Sequence, residues 1–393
     1  MLKFVFVFAL SAFAMPLLAA DSFVIAPPGK WVLPATVAPE AKPDDDLPVR
    51  SLVQDSQIQL DHGFTRIFSR SVLEIRKPEG LAAVSTIALP WRPDTDELTV
   101  HWIHILRKGE TLDLLTKGQK FTVLRREANL ERAMLDGTLT AVIQPEGVQV
   151  GDQIDLAYTI TRRDAVLGSH DEFLTGELNM TPLEQLRMRV SWPKGEAVRF
   201  RLGSRLPRPV LTTTGQLTTL EYNARGVLPQ RTPKGAPPRY SNLSSMEFTD
   251  AVSWSDIAGL MRPLYATAAT LSPQSPLQAE ITKIAASSTD PLKRAEAALR
   301  LVQDQVRYVY LAVGVSGYVP ANADTTWARR FGDCKAKSAL LVALLHGLQI
   351  EATPALVSTQ NGDGLDGRLP LMQHFDHVIV QARINGRAYW LVT

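Results

Sequence analysis

The sequence predicts an α+β chain. An antiparallel β-sandwich is expected over residues 51–225, a linker over 226–245, and helices followed by strands over 246–393. Three observations predict it. Apolar and polar residues alternate between 51 and 225, which is the period of a half-buried strand. Gly226, Pro229, Pro233, Gly235, Pro237 and Pro238 then interrupt the chain. Beyond them come capped segments with apolar residues at helical spacing.

The first residues read as a secretory signal peptide over 1–20: Met1-Leu2-Lys3, an apolar run from Phe4 to Leu18, then Ala19-Ala20. The run is short and interrupted at Pro16, which disfavours the alternative of an N-terminal anchor. No later stretch is long and apolar enough to span a bilayer, so no transmembrane segment is expected after signal removal. The mature chain is expected to be periplasmic or secreted. The formal charge of +2 selects no partner. There is no basic block or aromatic-basic interleaving, so nucleic acid is not an expected partner.

Residues 21–50 carry Pro27, Pro28, Pro34, Pro39, Pro43 and Pro48 with Asp44-Asp45-Asp46, and read as an extended, Pro-rich leader. In the sandwich, Ile154, Leu156, Tyr158 and Ile160 form one strand face. Val100, Trp102, His104 and Leu106 are expected to share another, and Met188, Val190 and Trp192 a third. Turn signals fall at Asp61-His62-Gly63, Lys108-Gly109, Asp136-Gly137 and Gly151-Asp152. His62, His101, His104 and His170 lack metal-ligand spacing and read as surface or packing residues.

Helices are expected from Asp256 to Ala269, broken at Pro263, and from Ser275-Pro276 to about Ser287. A stronger one starts at Thr289-Asp290-Pro291, where a capping side chain precedes a first-turn proline. Cys334, the single cysteine among 393 residues, stands in Gly332-Asp333-Cys334-Lys335. A helix is expected from there to His346, with Gly347 as its stop and His346 as a C-terminal cap. Asp333 can cap the helix beside the cysteine, and the first-turn N–H groups favour a thiolate. The alternative is a small buried residue, as free cysteines often are. Ala336, Ala339, Leu340, Leu341, Ala343, Leu344 and Leu345 make this helix apolar on most sides, so it belongs at a domain centre. Strands follow at 354–357 and 375–380, then a hairpin turn at Asn385-Gly386 and a last strand at 387–392. Asp363 and Asp366 make only a weak calcium-loop candidate.

Together, Gly332-Asp333-Cys334-Lys335, the run Leu340 to Leu345, Gly347 to Ala352, Phe375-Asp376-His377-Val378-Ile379-Val380 and Asn385 to Leu391 resemble the transglutaminase-like core of the papain-like cysteine proteases and their relatives. The resemblance covers roughly 280–393. The region before it resembles the sandwich domain of unknown function found ahead of such cores in exported bacterial proteins. The resemblance implies that Cys334 attacks an amide carbonyl to form an acyl-enzyme and that His377 serves as base, then acid. It also implies a preceding aromatic or amide side chain in the oxyanion hole, for which Tyr308, Tyr310 and Tyr318 are candidates; the alternative is that they are packing aromatics near the cysteine helix, which leaves the Cys334 N–H as the donor. His374 stands three positions before His377, on the opposite strand face, which argues against both a second base and a His374–His377 metal pair. The family's orienting aspartate falls at Val392. The expectation is that the core is truncated at its C-terminal end, the alternative being that the acid is absent.

Two functions follow. The first is an exported cysteine acyl-transfer enzyme acting on protein or peptide amides of the cell envelope, by hydrolysis or by transfer to an amine, with no metal or cofactor. The second is a catalytically degraded binding or scaffold protein, which Val392 favours and the Cys334–His377 pair opposes.

Overall fold

Alternation between residues 49 and 227 does produce strands, and their layering sets the position of everything after them. The computed structural model describes residues 22–35, 46–125, 131, 134–135, 137–176, 178, 182–204, 206, 208–229, 233–240, 244–311, 317–359 and 362–393. The expected signal peptide lies outside them. Among the described residues, nine strands form one long sheet. Its order is Val24–Ile25, Asp96–Arg107, Gln153–Arg163, Phe64–Ile75, Val49–Asp61, Leu183–Pro193, Leu217–Val227 and Val210–Thr214, with Glu110–Asp113 beside Asp96–Arg107.

One face of this sheet carries Ile58, Leu60, Leu98, Val100, Met188 and Val190. Two three-stranded sheets cover it. Ile87–Trp91, Leu139–Ile143 and Thr122–Arg125 contribute Leu89, Trp91, Leu139 and Ala141. Glu172–Leu174, Met246–Thr249 and Arg199–Leu202 contribute Met246 and Phe248. The two layers answer to the expected sandwich, with differences in detail. Val49–Asp61 runs parallel to Leu183–Pro193, and Val24–Ile25 parallel to Asp96–Arg107. Alternation reports which face a residue takes and nothing of its neighbour's direction; a long excursion between partners permits a parallel pairing. Met246–Thr249 also belongs to the first region, so the chain returns to that sheet after the Pro/Gly-rich stretch.

A bulge overturns one expected face. Register shifts between Ala157 and Tyr158, whose partners are Trp102 and Val100. His101 is therefore the extra residue, and Val100 and Trp102 point to opposite faces. His101 bonds Ala26 O at 2.7 Å and the Thr159 hydroxyl at 2.7 Å.

The sheet's other face is polar and yet covered. Asp55, Gln57, Asp155, Arg187 and Arg189 are buried there. The described leader residues lie across them. Gln57 exchanges two hydrogen bonds with Leu33, at 2.9 and 2.7 Å, while Arg187 and Arg189 donate to Leu33 O and Trp31 O. The described leader residues are thus docked on the sheet.

The second region is built on helices Trp254–Ala268, Leu277–Ser287, Pro291–Gln305, Ala323–Arg329 and Cys334–Gly347. Pro263 does not break the first of them. It lies on the exposed side, and the carbonyl it leaves without an N–H is that of Gly259, also exposed, where water can serve. Asp290 caps Pro291–Gln305 by accepting from Leu292 N–H at 2.9 Å. Helix Cys334–Gly347 is buried from Cys334 through Leu345. Leu340, Leu341, Leu344 and Leu345 pack with Ile281, Ala298, Val302, Val380 and Ala382 in one core. Gly347 is needed for closeness rather than for a helix stop. A Cβ there would meet Ile281 Cδ1 at 2.5 Å, while the left-handed residue is Gln349, with φ of 60°. Strands Glu351–Val357, His377–Ile384 and Arg387–Leu391 complete an antiparallel sheet in that order. Pro354 is tolerated because its strand is at the edge. No helix among the described residues is long and apolar enough to cross a membrane.

Candidate active site

Asp333 stands extended before the central helix and accepts the Ala336 N–H at 3.0 Å, so Cys334 is its first helical residue. The other Asp333 oxygen holds Lys335 Nζ, which also lies 5.4 Å from the Tyr310 ring centroid. Gly332 lets the chain enter this turn, since a Cβ there would press on Ala336 Cβ at 2.9 Å. Arg307–Tyr308 pairs in parallel with Phe331–Gly332. That pairing sets Tyr308 beside the cysteine, close enough for the Cys334 side chain and backbone N–H both to act on its hydroxyl.

His377 opens its strand, and the next residue fixes that strand against the helix. The Val378 N–H points at the Cys334 sulfur, and Val378 O accepts from the Ser338 hydroxyl at 3.2 Å. Cys334 and His377 consequently line one cavity, with Met261, Tyr310, Tyr318 and Phe375 among its walls. The structure thus brings together the two residues singled out from the sequence, and distinguishes the three tyrosines. Tyr308 touches Cys334, whereas Tyr310 and Tyr318 form walls.

The remaining expectations separate. His374 lies outside this cavity, 3% exposed, beside the Trp254 ring and 3.6 Å from Glu247, a separation too long for a hydrogen bond. No group of metal-ligating residues occurs among those described. His346 is not a cap for its own helix. Its Nε2 bonds Ala352 O at 2.9 Å, tying the helix end to the next strand. Asp363 is engaged by Arg239 at 2.7 Å. Val392 is 55% exposed, one residue past the last registered pair, Val380 with Leu391. Continued alternation puts it on the same strand face as His377, with an isopropyl group where the family resemblance expects a carboxylate.

Asp376, Glu172 and Glu247 were given no role from the sequence, and His170 was read as a surface or packing residue. Asp376 lines the cavity, with its oxygens taken by Thr359 N–H at 2.7 Å and Thr359 hydroxyl at 2.6 Å. Its place directly before His377 was the one available signal. His170 is neither surface nor packing. Burial alone would lower its pKa, but hydrogen bonds to Asp250 and Glu172 raise it to about 9, so it stays charged at neutral pH. Burial also raises the Glu247 carboxyl, but contacts from His374, the Leu369 N–H, Arg368 and Arg201 outweigh it and hold the group at about 2.

The thiol departs from expectation. Burial pushes Cys334 above its ordinary range, and Asp333 adds to this, while Lys335, the Val378 N–H and Tyr308 oppose. The helix-start effect does not overcome desolvation. Alkylation of the native protein by iodoacetamide is expected to be at least about tenfold slower at pH 7 than that of a free thiol, rising only above the ordinary thiol pKa. A rate at pH 7 matching a free thiol would show an activated thiolate in the resting chain.

The fold is α+β with a β-rich N-terminal region, and known proteins share it. Residues 62–230 match a family described as a domain of unknown function with solved structure, DUF3857. That match stops short of Cys334. No curated protein matches the chain. A crystal structure from Parabacteroides distasonis ATCC 8503, assigned provisionally as a protease, is 14% identical, covers 88% of this chain and 67% of its own, and superposes with a TM-score of 0.69. This shows a shared fold across both regions. A structure from Cytophaga hutchinsonii, assigned provisionally as a cysteine protease, is 11% identical over 84% of this chain and 75% of its own. Its TM-score of 0.24 carries no argument.

Proposed function

We propose that this chain is an exported cysteine acyl-transfer enzyme of transglutaminase-like type, acting on amides of proteins or peptides in the cell envelope. One observation carries the reading: Cys334, at the start of the central helix, and His377, at the start of the adjoining strand, line one cavity. The protease assignment of the Parabacteroides distasonis relative agrees with an amide substrate.

In this reading His377 takes the Cys334 proton as the sulfur attacks the amide carbonyl. The C–N bond breaks, His377 returns the proton to the departing amine, and a Cys334 thioester remains. Water or a primary amine then attacks the thioester, giving up its proton through His377 to restore the thiol. The raised pKa suits a resting thiol that is deprotonated during attack. The Cys334 N–H would donate to the developing oxyanion, and the Tyr308 hydroxyl stands at the same spot.

A second reading, a catalytically degraded binding protein, is favoured by Val392, since a Cys–His pair without its acid loses several orders of magnitude in template systems. Incubation with peptide amides, with and without a fluorescent primary amine, separates the two. Amine release or amine incorporation that disappears in Cys334→Ala is expected. Equal background rates in both proteins would reject the enzyme and leave the binder.

A further inference from the structure

The loop that carries His377 into the cavity is held by carboxylates of the other region. Glu247 Oε1 accepts from Arg368 Nη1 at 2.6 Å and Glu247 Oε2 from the Leu369 N–H at 2.8 Å. The Thr249 hydroxyl donates to Pro370 O at 3.0 Å. Glu172 then takes two successive backbone N–H groups, Met372 at 2.6 Å and Gln373 at 3.1 Å. Glu172 is 3% exposed and lies in the three-stranded sheet with Glu247 and Thr249. His170 Nε2 supports it at 3.2 Å, and His170 Nδ1 bonds Asp250.

A carboxylate is costly to bury unless its oxygens are hydrogen-bonded. Here both oxygens of Glu172 are spent on the loop. From that clamp the path to His377 is short and fixed. Residues Met372–His374 form one tight helical turn, closed by the Phe375 N–H on Met372 O. The Phe375 ring packs edge-on against Trp254 at 5.5 Å, and Asp376 is fastened to Thr359. Met372 itself lines the cavity beside Cys334.

We infer that Glu172 is a positioning residue for His377: the β-rich region, through one carboxylate on the Met372 and Gln373 N–H groups, sets where the imidazole stands relative to Cys334. This rests on His377 being the base of the proposed reaction. It gives the N-terminal region a part in the chemistry.

The test compares Glu172→Ala and Glu172→Gln in the full chain. The chain has seven histidines, few enough for their ring C–H signals to be resolved by NMR and assigned by substitution. Glu172→Ala is expected to shift the His377 ring signal while leaving those of His101 and His346 in place. It should lower kcat about a hundredfold, the scale of an ångström-sized misplacement, with KM changed by less than about threefold. Glu172→Gln keeps one acceptor and should recover most of the rate. A His377 signal and kcat unmoved in a folded Glu172→Ala protein would overturn the inference. Should the His101 and His346 signals show that Glu172→Ala does not fold, Glu172→Asp, one methylene shorter and so drawn back from the Met372 and Gln373 N–H groups, decides: a His377 signal and kcat identical to those of the parent overturn it. A parent chain with no activity would sink the acyl-transfer reading, yet the ring signals would still decide whether Glu172 sets the position of residue 377.

Discussion

Glu247→Ala is expected to cost about 3–5 kcal/mol of stability, the scale for removing one partner of a buried ion pair. Glu247 is fully buried, with Arg201 at 3.0 Å and Arg368 at 2.6 Å on Oε1 and His374 at 3.6 Å from Oε2. Alanine would leave Arg368 without that buried carboxylate and the Leu369 N–H without its acceptor. Because Glu247 lies in the first region and the loop in the second, the loss falls on their junction. Urea unfolding should show it as a lower midpoint, or as two transitions in place of one. The same carboxylate gives a pH signature. Its folded pKa, about 2, lies below the 4.5 of a free glutamate side chain, so its contribution is complete above pH 4.5 and is lost as pH falls toward 2. A Glu247→Ala midpoint within error of the parent, or acid stability unchanged by the substitution, would contradict this description of the junction.

His377→Ala is expected to lower acyl transfer by about 10²–10⁴-fold, the usual contribution of a general base, with the unfolding midpoint little changed. The expected stability follows from its position: His377 is partly exposed at the first residue of the sheet's central strand, and the core contacts of that strand are made by Val378, Val380, Ala382 and Ile384. His374→Ala should do the reverse. It removes a buried ring beside Trp254 and Glu247, so it should lower stability while leaving a folded molecule's turnover closer to the parent's. Rates per folded molecule, measured beside unfolding curves, separate the two histidines. If His374→Ala abolished turnover in folded protein and His377→Ala did not, the roles assigned here would be exchanged.

Much of the site was legible because it is local. Asp333, Cys334 and the helix after them are contiguous, and capping and apolar spacing can be read along one stretch. His377 was picked out by the family resemblance of Phe375-Asp376-His377-Val378-Ile379-Val380. The missing pieces depend on distant chain segments. Nothing near Glu172 announces that its carboxylate will meet Met372 and Gln373 two hundred residues later. Gln57 is a polar residue on an alternating strand, a position that suits a solvent-facing side, yet it is fully buried and bonded to Leu33 of the leader. The bulge at His101 turned Trp102 over without any glycine or proline to mark it. The thiol pKa was misjudged for a related reason. The dipole of a helix start can be inferred from sequence, whereas the desolvation that outweighs it depends on what the rest of the chain packs around Cys334.

The most direct test of the central claim is intact-protein mass spectrometry after brief exposure to an activated amide or ester of a peptide. The parent chain should gain the mass of one acyl group, mapped by peptide digestion to Cys334, and lose it on addition of a primary amine or of water at longer times. Cys334→Ala should gain nothing. An acyl group carried on another residue, or equal labelling of the Cys334→Ala protein, would contradict Cys334 as the nucleophile.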